Sequence, residues 1–253
     1  MRWDQLTEAN VTKRNLVSFI KKNCSEYLRE NPDWMNSPLY RGISDSEDII
    51  IKNIRTDREP TDMKRYFHDL YDDTLKKAGF VARRSNSMFV TGRKSVADQY
   101  GYTMVIFPIG NFEYTWSSSY SDLLNVLPTI YLNGGIAFKN ADKDVLTIDD
   151  LDLSPSELGD YKVPKKFSFN YMKDVIFKET GNNLRLWFRA DDIDEVFQKL
   201  EIDQNVLIDN FKNYYSNNDL EDAIESGSEI MIAGTSYLAI EPDIFEQMKE
   251  KFK

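Results

Sequence analysis

The sequence predicts an α+β fold. Helical patterns are interleaved with short strands of antiparallel character, which argues against a doubly wound sheet. No stretch repeats and no flexible linker divides the chain, so one domain is expected over residues 1–253. Within it, residues 1–36 form an N-terminal helical segment, 37–240 the core and 241–253 a C-terminal helix.

Residues 11–30 place Leu16, Phe19, Ile20, Cys24, Tyr27 and Leu28 at helical spacing, and Asn31-Pro32 ends that helix. "SPLYRGI" then reads as a short apolar strand carrying Arg41. Residues 44–62 are polar, contain Pro60 and lack periodicity, so a loop or short helix is expected. Thr61 can cap a helix over about 62–78, which Gly79 terminates. Residues 87–90 predict a strand, Gly92 a turn and 94–100 one or two helical turns. Strands are expected at 103–109 and 112–116, then a serine-capped helix start in "SSSYSDLLNVL". Residues 141–162 are acidic and loop-like. Strands at 167–176 and 184–188 flank a Gly181-Asn182-Asn183 turn, and helices are expected at 191–200 and 204–215. Strands at 229–233 and 236–240 around Gly234-Thr235 lead into the last helix.

Composition excludes several chemistries. The chain of 253 residues is 41% hydrophobic and carries a formal charge of −10. That charge opposes non-specific binding to phosphate backbones, although "RTDREPTDMKR" and "VARRS" gather basic residues locally. There is one histidine, His68, and one cysteine, Cys24, too few for a zinc site or an internal disulfide. His68 falls in a helical pattern and reads as structural. Neither G-x-G-x-x-G nor G-x-x-x-x-G-K-[ST] occurs. No apolar run approaches the ~18 residues of a membrane span, and the N-terminus lacks the apolar core of a signal peptide. A cytoplasmic protein without metal or membrane partner is expected.

Three segments carry the candidate chemistry. "LYRG" puts Arg41 on a strand, "FVTG" followed by "SVADQYG" puts Thr91 at a strand end, and "SEIMIAGTSYLAI" puts Glu229 at a strand start. In that order they resemble the Arg, Ser/Thr and Glu motifs of mono-ADP-ribosyltransferases, the toxin-like class. Glu229, Ile230, Met231, Ile232, Gly234, Thr235 and Tyr237 match the family's last motif. Phe89, Thr91 and Ala97 fit the second, where Gly92 and Arg93 replace its other two members.

The resemblance implies two packed, mostly antiparallel sheets with helical insertions. It also implies NAD as substrate and transfer of ADP-ribose to a macromolecular acceptor, protein or nucleic acid. Glu229 would stabilise the positive charge that develops on ribose as nicotinamide leaves, as in glycoside hydrolysis. Arg41 would hold the NAD phosphates with its planar fork, and Gly42 would leave backbone open to the nicotinamide amide. Thr91 would hold the ribose or the Glu229 carboxylate, and Phe89 would line the cofactor site. An aromatic among Phe112, Tyr114 and Trp116 would cover nicotinamide, with Tyr114 assigned to the cofactor site. The family reads its acceptor just before the glutamate, so Glu225 and Gly227 are the acceptor-recognition candidates. NAD hydrolysis and a non-catalytic binding module on the same fold are the alternatives. A bacterial or phage effector acting in host cytoplasm is the implied setting.

Overall fold

Two apolar segments become long antiparallel strands, β4 (Tyr102–Trp116) and β7 (Glu229–Ile240), and the rest of the sheet is arranged on them. A computed structural model gives this structure and describes residues 11–44, 47–59, 65–119, 146–147, 166–167 and 204–252. The chain divides into two compact units, one of Met1–Glu59, Gly79–Leu123 and Tyr214–Lys253, the other of Pro60–Ala78 and Leu124–Asn213.

In the first unit, β1 (Leu39–Ile43), β2 (Ile49–Asn53) and β3 (Ser87–Thr91) join the two long strands in a five-stranded antiparallel sheet. The pairing is circular. β1 lies between β3 and β4, β7 lies between β4 and β3, and β2 extends β7 beyond the end of β3. In this unit, one closed sheet stands among the described residues where two packed sheets were expected.

β2 was not expected. Its Ile49-Ile50-Ile51 core is too short to stand out between Asp48 and Lys52, and pairing with residues 236–240 of β7 supplies what local pattern lacks. The expected strand pairs 103–109/112–116 and 229–233/236–240 are each one continuous strand. The register slips between Ile109 and Phe112, and Gly234 sits opposite that irregularity, where a side chain would crowd Asn111 O at 3.4 Å. Gly234-Thr235 is therefore a bend within a strand, not a turn.

The expected first helix is two, α1 (Leu16–Asn23) and α2 (Ser25–Glu30), broken at Cys24, whose φ of −115° is not helical. Burial pushes the Cys24 thiol well above its ordinary range, so it behaves as a small core hydrophobe. Beyond β3 come α4 (Lys94–Ala97) and a 3₁₀ turn (Asp98–Tyr100), then β4. α6 (Leu220–Ser226) precedes β7, and α7 (Pro242–Phe252) follows it. The outer side of β4 is closed by aromatic packing. Phe107 meets Tyr27 and Trp34 edge-on, each at 5.5 Å, and Trp34 meets Phe252 at 4.8 Å. Phe107→Ala should cost about 3–5 kcal/mol, read as a lower urea midpoint, because Phe107 is fully buried at the centre of this cluster.

The second unit contains α3 (Arg65–Ala78), the two-residue strands β5 (Leu146–Thr147) and β6 (Lys166–Phe167), and all but the last residue of α5 (Gln204–Tyr214). Tyr71 and Phe211 pack edge-on at 5.2 Å beside buried Leu75 and Leu207. His68 is buried, with Nδ1 3.4 Å from Asp69 Oδ1. The Thr61 cap, the helix begun by "SSSYSDLLNVL", the Gly181 turn and the helix at 191–200 lie outside the described residues, as do most of the loop at 141–162 and of the strands at 167–176 and 184–188.

Candidate active site at an open strand seam

Sheet register brings the sequence candidates together. Thr91 pairs with Tyr40 on one edge of β3 and with Glu229 on the other. Arg41, next to Tyr40, and Glu229 are thereby brought to one end of β3. The Tyr40–Thr91 pair is the single β1–β3 pairing, against five between β1 and β4. Continued, that register would set Gly42 against Phe89. The strands part instead, and Arg41 Nη1 donates to the Phe89 carbonyl at 2.6 Å.

Arg41 keeps a buried donor. Its Nε is buried without a hydrogen-bond partner among the described residues. Burial lowers its pKa from the ordinary value, while Tyr237, by charge and hydrogen bond, and Glu229, by charge, act in the opposite direction. An arginine so placed stays protonated. Glu229 is half-buried at the first position of β7. Thus Arg41, Glu229, Phe89 and Tyr237 form one constellation.

Thr91 has a different task from the one expected. Its buried hydroxyl donates to Gly227 O at 3.0 Å and accepts from Arg93 N at 3.1 Å. It ties down the turn before Glu229 rather than reaching for the carboxylate or a ribose. Gly42 also departs from expectation. A Cβ there would lie 2.4 Å from Ala97 O and 2.7 Å from the Tyr100 carbonyl carbon, so glycine is needed for close packing of the helical turn.

The two acceptor candidates separate. Glu225 is exposed on the last turn of α6. Gly227 is buried in the left-handed region, at φ +67°, and closes the helix by donating to Ile224 O at 3.0 Å. Arg93 lies across it and donates to Ser226 O at 2.8 Å, a cation on the carbonyl end of a helix. A Cβ on Gly227 would meet Arg93 Nε at 2.0 Å. Gly227→Ala should therefore destabilise strongly in the wild type but only by about 1–2 kcal/mol in an Arg93→Ala background, where backbone strain alone remains. Equal penalties in both backgrounds, measured by chemical denaturation, would show that Arg93 does not cover Gly227.

Tyr114 is not part of the constellation. It pairs with Ile232, three residues from Glu229, and an odd step places it on the opposite face of β7. There it lines a cavity of about 590 Å³ with Glu26, Glu30, Glu113 and Asp219. Burial first, then the charges of Glu30, Asp219 and Glu113, raise its phenol pKa to about 12. A wall of carboxylates repels phosphate. Phe112 and Trp116 share that face, and Trp116 Nε1 donates to Asn218 O at 2.8 Å. A second cavity, of about 380 Å³, is also acidic and includes neither Arg41 nor Glu229. Coordinated cations and register, not concavity, define the candidate site.

Two arginines were missed as site residues. The Arg58 guanidinium lies 4.3 Å and that of Arg84 5.0 Å from the Phe89 ring centroid. Their clustering was visible in "RTDRE" and "ARRS"; that they meet at Phe89 was not.

No family model, curated protein or solved structure matches the chain. Among the described residues no group of three or more His, Cys, Asp or Glu could hold a metal ion, and no helix is long and apolar enough to cross a membrane.

Proposed function

We propose that the chain is an NAD-dependent mono-ADP-ribosyltransferase of the Arg–Ser/Thr–Glu class, built on the ADP-ribosyltransferase fold. One observation carries the reading: Thr91 pairs with both Tyr40 and Glu229, so the three motif segments meet at a single strand end. The chemistry fits the residues. Arg41 has a buried Nε–H without a partner among the described residues, beside a half-buried carboxylate, and its guanidinium fork suits a pyrophosphate. Glu229 then faces the ribose as its C1′–nicotinamide bond breaks and offsets the charge developing there. Thr91 and Arg93 fix the turn that leads into Glu229, which holds the carboxylate in position. An effector role in a host cytoplasm rests on the resemblance alone.

The test uses labelled NAD and cell lysate with wild type and Glu229→Ala. Label on a macromolecule that disappears in the variant supports transfer. Nicotinamide release without labelled macromolecule identifies a glycohydrolase. Absence of turnover with every lysate leaves only a binding module.

A further inference from the structure

A ridge of arginine runs outward from the candidate site. The Arg58 backbone amide donates to Ser85 O at 2.9 Å, which lays "RTDRE" beside "ARRS". Arg58 and Arg84 both sit over the Phe89 ring, and Arg41 holds the Phe89 carbonyl. Three guanidinium groups thus converge on one residue. Arg55 continues the ridge into solvent with a side chain 69% exposed, against Asp57 at 3.4 Å. After burial, the charges of Arg41 and Arg84 lower the Arg58 pKa; Glu229 opposes them, and Arg55 adds a smaller lowering. Such mutual repulsion is relieved by a ligand that brings several negative charges at once.

The form of that ligand follows from three observations. A guanidinium plane braced on an aromatic ring can stack a base while its N–H edge meets phosphate, the combination used on single strands. The remainder of the protein is acidic, with a net charge of −10, and repels a long duplex, so contact is confined to a few phosphates. The turn before Glu229 is buried and tied by Thr91 and Arg93, which leaves no loop there to grip a protein side chain.

We infer that the Arg55–Arg58–Arg84 ridge binds a short single-stranded nucleic acid, and that this strand is the ADP-ribose acceptor. The second half rests on the transferase reading above; the first half does not. In the transfer, the C1′–N bond of NAD breaks and its electron pair leaves with neutral nicotinamide. A hydroxyl or ring nitrogen of the strand bonds to C1′, and its proton passes to the Glu229 carboxylate and on to solvent.

The experiment measures anisotropy of a labelled mixed-sequence single-stranded RNA of about a dozen nucleotides, without NAD. Three phosphate contacts give a plot of log affinity against log salt with a slope of about −2, and Arg55→Ala makes it shallower by about 0.7. Arg58→Ala and Arg84→Ala weaken binding by about tenfold or more, and Arg55→Ala, outside the Phe89 constellation, leaves the KM for NAD in nicotinamide release near the wild-type value. Label from NAD appears on the oligonucleotide. The inference is overturned by absence of binding at low salt, by equal affinity for duplex, or by affinity unchanged in all three variants. It is also overturned if the Arg58 and Arg84 variants keep oligonucleotide affinity and raise the KM for NAD, since the pair then belongs to the dinucleotide site. Label on protein alone overturns the acceptor half. Loss of all NAD turnover with oligonucleotide binding intact sinks the transferase reading and upholds the strand site.

Discussion

Replacing Glu229 by Gln is expected to lower NAD turnover by roughly 10²–10³-fold, the scale of removing one preorganised electrostatic group from a transition state. The substitution keeps the shape and removes the charge. Glu229 is half-buried at the start of β7, so the amide finds solvent or backbone and the sheet register survives. The thermal midpoint should stay close to wild type. The KM for NAD should change little, because in the proposed reaction Arg41 would carry the ground-state contact to phosphate and Glu229 would act on charge that appears only as nicotinamide departs. Nicotinamide release at several NAD concentrations separates the two parameters. A variant that turns over NAD like the wild type would remove Glu229 from the mechanism.

Gly92→Ala is the second large effect, and it acts on the fold. A Cβ on Gly92 would lie 1.8 Å from Ile224 O and 2.6 Å from its carbonyl carbon, both backbone atoms of α6. Backbone has no rotamer with which to yield, so α6 must move, at about 3 kcal/mol. Gly92→Thr, which adds a larger branched side chain at the same contact, should destabilise more. Activity should fall too, because α6 ends three residues before Glu229 and its displacement shifts the carboxylate. A urea midpoint unchanged in Gly92→Ala would mean that α6 is not seated against β3. The same contact accounts for glycine at position 92: a helix end passes over it.

Much of this architecture was legible because it follows local pattern. β1, β3 and the helical turn after it came from apolar runs and from the turn at Gly92. β2 was hidden, since three isoleucines between charged residues acquire their meaning only from β7. Gly234-Thr235 looked like a turn because the irregularity that accommodates it lies in β4. At the candidate site, motif order singled out Arg41 and Glu229, and the register brings both to one end of β3, but the hydrogen bonds of Thr91 were not legible. Its hydroxyl reaches Gly227 and Arg93, partners that only the folded register defines. Tyr114 failed on parity: a one-residue change in register decides which face a strand residue takes, and sequence does not specify register across distant strands.

The circular pairing bears on how the protein comes into being. β7 lies C-terminal to each strand it joins, and it supplies both the closing pairing of the ring and Glu229. Its partners β2, β3 and β4 are distant in sequence, so closure is a late, entropically demanding event. The glutamate arrives with the strand that completes the sheet. Under the proposed function, competence for chemistry and completion of the sheet would then be a single event, and a chain still emerging without β7 would lack its carboxylate.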